Sequence, residues 1–326
     1  MEENFKFKIA FLVYDSRSGS TFLAKRLTED VNNVIVTPEI GFDYLFKHRM
    51  KNKPIWTDLI RKMYKGHEFI NLNISQQELA KEFIHHTSLD ILQGIKLILK
   101  KWLKNNYNLT EYSGWIIVKN GSHLKYIDNI SQIFNKKIPF IYILRDPRAV
   151  INSKYNTRRP YYPEENMVWS GLLLTVLRWK IYYQKIRKAK EKGVPILKVK
   201  YEDLIYKTDD VIGTIKSFLN IKDLKKDKVT QLKAGYNIPE KEKHIHKLTN
   251  KPYGVEERIY SWKKELSPFK VRVIEAICSK EMMNEGYSLM YHDNIIVRSI
   301  LIVTILPDMI YSLLRHFLIL IKQKIC

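Results

Sequence analysis

The chain has 326 residues, 45% hydrophobic and 28% charged, proportions that exclude general disorder and allow one large or two ordinary domains. Its 56 Lys and Arg against 34 Asp and Glu leave a formal charge of +22, which points to anionic partners: nucleotides, nucleic acid, acidic glycans or an anionic membrane surface. The two cysteines, Cys278 and Cys326, lie too far apart for a disulfide framework or the usual zinc spacings, so a reducing cytosol fits.

Met1 to Lys8 is charged and runs directly into an apolar strand without an apolar signal segment, so a cytoplasmic protein is expected. That strand, Ile9–Tyr14, is followed by Asp15-Ser16-Arg17-Ser18-Gly19-Ser20-Thr21 and then by apolar positions at helical spacing. Strand, small-residue loop and helix N-terminus together form an anion site, because the N–H groups of a first helical turn point out at its positive dipole end. A phosphate or sulfate can approach such a loop closely. The ending Gly19-Ser20-Thr21 lacks the Gly-Lys pair of a Walker A loop, which counts against an NTP-hydrolysing version.

Further strands are expected at Val34–Thr37, Trp115–Lys119, Phe140–Leu144 and Ile196–Val199. Helical patterns separate them. The region 42–110 reads as mostly helical, with Ile91, Leu92, Ile95, Ile98, Leu99 and Trp102 on one face and Lys96, Lys100, Lys101 and Lys104 on a solvated one. Long helices are expected over Met167–Ala189 and Val271–Gly286. Strands alternating with helices predict a parallel α/β sheet, with ligands bound at the carboxyl ends of its strands.

The stretch FIYILRDPRAVINSKY places Arg145 at the end of an apolar strand and Ser153 eight positions later on the following helix, so the two can converge on one oxyanion. Asp146 and Arg148 also suit a local salt-bridged turn. Together with the first loop, this pair resembles the sulfotransferase family, which uses 3′-phosphoadenosine-5′-phosphosulfate (PAPS). VKYEDLIYKTDDVIGTIKSFLNI and YSWKKELSPFKVRVIEAICSKEMMNEGY look like two further family landmarks, so the resemblance covers most of residues 7 to 287.

The resemblance implies a P-loop NTPase-like three-layer fold, with a central parallel sheet flanked by helices, over residues 1–293. It implies that Arg17, Ser18, Gly19, Ser20 and Thr21 bind the 5′-phosphosulfate, that Phe22 lies near the adenine, and that Arg145 and Ser153 bind the 3′-phosphate, with Tyr201 near the nucleotide. No metal is required by sulfuryl transfer, which needs an aligned hydroxyl, a base for its proton and positive charge at the leaving oxygen. Arg17 and Lys119 suit the charge role. Glu39 is the expected base, since it follows a short strand where several bacterial and carbohydrate-directed relatives place a glutamate. His123 is the runner-up, because cytosolic relatives use a histidine near the lysine corresponding to Lys119. His244 and His246 read as ordinary loop histidines, and HKLTNKPYG is a poor match to the late nucleotide-contact segment of the family.

Residues 294–326 read as an apolar or amphipathic helical tail. Arg298, Asp308 and Arg315 interrupt its apolar run, and at bilayer depth each costs about 2.5–3.5 kcal/mol on insertion scales. Ile310, Leu313, Leu314, Phe317 and Ile321 share one face, and Arg315, Lys322 and Lys324 suit lipid headgroups, so a helix pair lying on or dipping into the inner membrane surface is expected, the alternative being a tail packed on the protein's own core. Nucleic acid is not the expected partner. The expected function is transfer of the PAPS sulfuryl group to a hydroxyl of a carbohydrate or glycolipid, the alternatives being a protein tyrosine or small alcohol as acceptor, or a non-catalytic basic nucleotide- or nucleic-acid-binding protein.

Overall fold

The computed structural model describes residues 5–47, 55–66, 68–84, 89–160, 162–221 and 256–325, with side chains up to Ile319. Five parallel strands, β1 (Lys8–Tyr14), β2 (Val34–Val36), β3 (Trp115–Lys119), β4 (Phe140–Leu144) and β7 (Ile196–Lys200), form the central sheet in the order β2-β3-β1-β4-β7. All five expected strands are present within a residue of their expected ends. In β1 the side chains alternate between two cores: Ile9, Phe11 and Val13 face one, Ala10, Leu12 and Tyr14 the other. This period of two makes the sheet the middle of three layers. A separate two-stranded ribbon, β5 (Arg158–Arg159) with β6 (Tyr162–Asn166), was not foreseen from the sequence.

The helices in chain order are α1 (Ser20–Asp30), α2 (Asp43–Lys47), α3 (Trp56–Met63), α4 (Gln76–Ile84), α5 (Ile91–Tyr107), α6 (Ile127–Ile133), α7 (Pro147–Tyr155), α8 (Gly171–Glu191), α9 (Tyr201–Tyr206), α10 (Thr208–Leu219), α11 (Glu257–Tyr260), α12 (Trp262–Glu265), α13 (Pro268–Asn284), α14 (Ile295–Thr304) and α15 (Leu306–Ile325). α5 starts at a capping box: the Asp90 side chain accepts from the Gln93 N–H, and the Gln93 side chain accepts from the Asp90 N–H. Its buried positions include Ile91, Ile95, Ile98, Leu99 and Trp102, the expected face, with Leu92 only half-buried.

α8 begins four residues later than expected. Gly171 has φ +83°, a left-handed conformation outside the helical region, and a Cβ there would approach Met309 of α15 at 2.9 Å. The helix therefore starts where the tail crosses it.

That tail rests on the domain. Leu301 and Ile305 are buried in the larger core, the Leu172 N–H donates to Asp308 at 3.2 Å, and Arg298 donates to the Ser279 hydroxyl at 3.0 Å. The expectation set a membrane-lying tail against one packed on the protein's own core; one face of the helix pair does pack on the core.

Candidate active site

Every strand of the sheet delivers a candidate residue from its carboxyl end: Arg17 after β1, Glu39 after β2, Lys119 at the end of β3, Arg145 after β4 and Tyr201 after β7. Parallel alignment makes this convergence unavoidable, since all five strands end on the same side.

The loop after β1 turns through two left-handed residues, Arg17 at φ +73° and Gly19 at φ +91°. The first is unusual for a residue with a Cβ, and such strain concentrates at binding loops. Only glycine serves at 19, because a Cβ would run into the Tyr201 ring. Ser20, Thr21 and Phe22 then open α1, where first-turn N–H groups have no intrahelical acceptor. Ser20 and Thr21 line the adjoining cavity, Ser18 is buried in the loop, and Phe22 is buried in the smaller core with Tyr201.

A buried ion pair clamps this loop. Lys154 Nζ donates to both oxygens of Asp15 at 2.7 and 2.8 Å, with both side chains almost inaccessible. Burial pushes the Lys154 ammonium below its ordinary value, and the Asp15 charge opposes that. The sequence reading did not pick out this pair, although its two residues flank the residues it did select. Asp15→Ala is expected to destabilise the fold by about 3–5 kcal/mol by leaving the Lys154 charge buried alone, read as a lower urea midpoint; an unchanged midpoint would show that water reaches the pair.

The second signature joins the first. Arg17 Nε donates to Ser153 Oγ at 3.1 Å, and Arg145 Nη1 donates to the Arg17 carbonyl at 2.8 Å. Arg145 Nη2 donates to the Arg258 carbonyl at 2.6 Å, and its guanidinium lies 4.2 Å from the centre of the Tyr201 ring. Burial, then the Arg145 and Arg258 charges, bring Arg17 down to about 10; burial lowers Arg145 against the opposing Tyr201, Glu202 and Asp146, and Arg258 adds a smaller push in the same direction as burial. Among the described residues, the side chains of Arg17 and Arg145 donate to a hydroxyl and to carbonyls, not to carboxylates. The buried Arg145 Nε has no hydrogen-bond partner among the described residues. Like charges gathered in this way, with an orphaned donor among them, suit an anion with several oxygens. Arg258 is a residue that sequence reasoning missed, because it lies 113 positions from Arg145.

Arg148, by contrast, is structural. It forks onto Asp146, pairs with Glu275 at 2.5 Å and stacks 3.9 Å from the centre of the Trp262 ring. Asp146 also caps α7, and its own N–H donates to Glu202, which accepts from the Tyr287 hydroxyl at 3.0 Å. The two later landmark stretches are thus bonded to the second signature.

Across the cavity, Glu39 receives the Tyr14 hydroxyl and, at 2.8 Å, Lys119 Nζ on the same oxygen. The Glu39 side chain is 25% exposed and lines the cavity, whereas that of Lys119 is 1% exposed, so the ammonium stands behind the carboxylate. Glu68, which the sequence reading did not single out, lies beside this group and accepts from Asn120 at 2.6 Å. Burial and the nearby Glu39 charge raise Glu68 to about 7. The cavity is about 340 Å³, and Asn120, Ser122, Lys125, Arg178 and Tyr182 complete its polar wall.

The structure does not bring His123 to the cavity. Its ring is inaccessible among Phe11, Phe42 and Phe46, with centroids 5.2 to 6.3 Å away, and burial pushes it down to about 3. The cause is local: Asn120 caps the short 3-10 turn Gly121–Tyr126, which turns residue 123 into the core. His244, His246 and HKLTNKPYG lie outside the described residues. Among the described residues, no group of three or more His, Cys, Asp or Glu side chains gathers at a metal-binding distance.

A model of the sulfotransferase family matches residues 11–225, about two thirds of the chain. The chain belongs to the sulfotransferase family. This sulfotransferase is similar in fold to the "Sulfotransferase Domain from the Curacin Biosynthetic Pathway" at 19% identity and a TM-score of 0.52, covering 88% of this chain and 99% of that one. It is similarly related to the "Sulfotransferase Domain from the Synechococcus PCC 7002 Olefin Synthase", at 14% identity and a TM-score of 0.57, covering 88% and 98%. No curated protein matches it in a sequence search. Members of the family generally use PAPS as sulfate donor and act on a hydroxyl-bearing acceptor.

Proposed function

We propose that this enzyme binds PAPS across the loop after β1 and the Arg145–Ser153 segment and sulfates a hydroxyl of a carbohydrate or glycolipid. One observation carries the donor part: Arg17, Ser153 and Arg145 form a continuous chain of bonds at 3.1 and 2.8 Å, uniting two motifs that are 128 residues apart. The loop N–H groups and Arg17 hold the 5′ end, and Arg145, Ser153 and Arg258 the 3′-phosphate, with Tyr201 closing the side between them.

When bound, PAPS supplies the sulfuryl group and leaves as adenosine 3′,5′-bisphosphate (PAP). The acceptor oxygen forms the new S–O bond as the S–O bond to the phosphate breaks. Glu39 takes the hydroxyl proton, and Tyr14 and Lys119 fix its carboxylate toward the cavity. Arg17, on the loop, balances the negative charge that grows on the leaving oxygen.

The acceptor part rests on the cavity wall. Glu68, Asn120, Ser122, Lys125 and Arg178 present donors and acceptors suited to a polyhydroxylated ligand more than to an aromatic ring. Calorimetric titration of the protein with PAP is expected to show micromolar binding, with none for ATP. A folded protein that takes up no PAP would overturn the reading.

A further inference from the structure

The C-terminal helix pair is amphipathic in the reverse sense to a soluble protein's surface helices. Of the charged and histidine side chains between 294 and 319, Arg298 and His316 are half-buried and Asp308 and Arg315 are exposed; Arg298, Asp308 and His316 bond to the preceding domain. Arg298 meets Ser279, Asp308 receives the Leu172 N–H, and His316 Nδ1 lies 2.8 Å from the wholly buried Glu165. The hydrocarbon turns outward. Ile295, Ile296, Val303, Tyr311, Leu314 and Phe317 are each 60 to 74% exposed, and only 11% of the apolar window within Ile295–Ile319 is buried. Scattered exposed apolar residues are ordinary, but eleven of the 21 large ones exposed among the described residues fall between 295 and 318.

We propose that this face docks on an anionic phospholipid bilayer, lying in the headgroup region with its apolar stripe in the acyl chains. Such a surface in water exposes hydrocarbon without return, whereas a leaflet receives it, with the exposed Arg315 at the level of the headgroups. Charge selects the leaflet over a second copy of the chain. The chain carries +22, so two copies would oppose like charges, while anionic headgroups neutralise them.

The docked face also reaches the cavity. His316 packs 4.2 Å from the Trp169 ring and pairs with Glu165, which Arg159 also grips at 2.7 Å; Glu165 and Arg159 belong to the β5–β6 ribbon. Pro160, in that ribbon, and Met167, directly after it, line the cavity. The bilayer surface and the cavity wall are therefore joined through one buried carboxylate. That a membrane-linked acceptor enters from this side rests on the function proposed above; the docking itself does not.

Full-length protein is mixed with vesicles of phosphatidylglycerol and phosphatidylcholine, or of phosphatidylcholine alone, and floated through a density gradient. PAP binding and sedimentation are measured on the same preparations. The protein is expected to float with the anionic vesicles. The combined variant Ile310→Asp, Leu314→Asp, Phe317→Asp, whose positions are 53 to 60% exposed, is expected to lose at least roughly tenfold in vesicle partitioning with unchanged PAP binding. Wild-type protein that stays at the bottom, a variant that floats equally well, or a wild-type dimer that the variant makes monomeric without any flotation would each overturn the docking. Loss of PAP binding in every preparation would instead strike the cofactor reading and leave the docking result standing.

Discussion

Replacing Arg145 by alanine is expected to raise the Kd for PAP by roughly a hundredfold, about 2.7 kcal/mol, in the lower half of the range for truncating one member of a buried charged hydrogen-bonded contact. The side chain sits at the centre of the arginine cluster: one nitrogen holds the Arg17 carbonyl, another holds the Arg258 carbonyl, and the third is buried without a partner among the described residues. Alanine removes the charge and the brace for two neighbouring binding segments together. Arg145→Lys separates these effects, since an ammonium keeps the charge and loses the planar fork, so its binding should fall between wild type and alanine. Thermal unfolding of both variants reports whether the fold survives. Unchanged PAP affinity in a folded Arg145→Ala protein would place the 3′-phosphate elsewhere.

Glu39→Gln is expected to lower kcat by about 10²- to 10⁴-fold, the usual contribution of a general base, while leaving the Kd for PAP close to wild type. The amide keeps the size of the side chain and can still accept the Tyr14 and Lys119 hydrogen bonds on its carbonyl oxygen, but it cannot take a proton. His123 cannot take over from the core, where burial holds it at about 3, so that it stays neutral at physiological pH with its ring walled in by phenylalanines. Measured turnover in Glu39→Gln near the wild-type rate would move the base to a group on the acceptor or to Glu68. Loss of PAP binding in the same variant would show that Glu39 shapes the donor site and not the chemistry.

Glu68 adds a pH effect of definite sign. Its folded-state value of about 7 lies above the ordinary 4.5, so the folded protein holds a proton there that the unfolded chain has released. The stability it contributes is fully present below about 4.5 and is lost as pH rises through about 7.

How much of this could be read beforehand depends on the range of the interaction. The five strands were legible because their signals are local: short runs of β-branched and aromatic residues such as Trp115–Lys119 and Phe140–Leu144, bounded by turn residues. The small-residue loop at 15–21 and the eight-residue spacing from Arg145 to Ser153 were legible for the same reason, and they carried the family resemblance. His123 was weighed as a base because its sequence position lies near Lys119; the 3-10 turn Gly121–Tyr126 carries it into the core, and no local pattern shows which way a ring points.

By itself, therefore, the sequence determined the strands, the small-residue loop after the first of them, the family and the positions of Arg17, Glu39, Lys119, Arg145 and Ser153. Only the tertiary structure decided that Arg258 joins the arginines, that Glu68 stands beside Glu39, that Lys154 locks Asp15, and that the tail seats His316 on Glu165 and turns its hydrocarbon outward. The physical reason is sequence separation: each of these contacts joins residues 29 to 151 positions apart, brought together by chain topology and paired only after the sheet has formed.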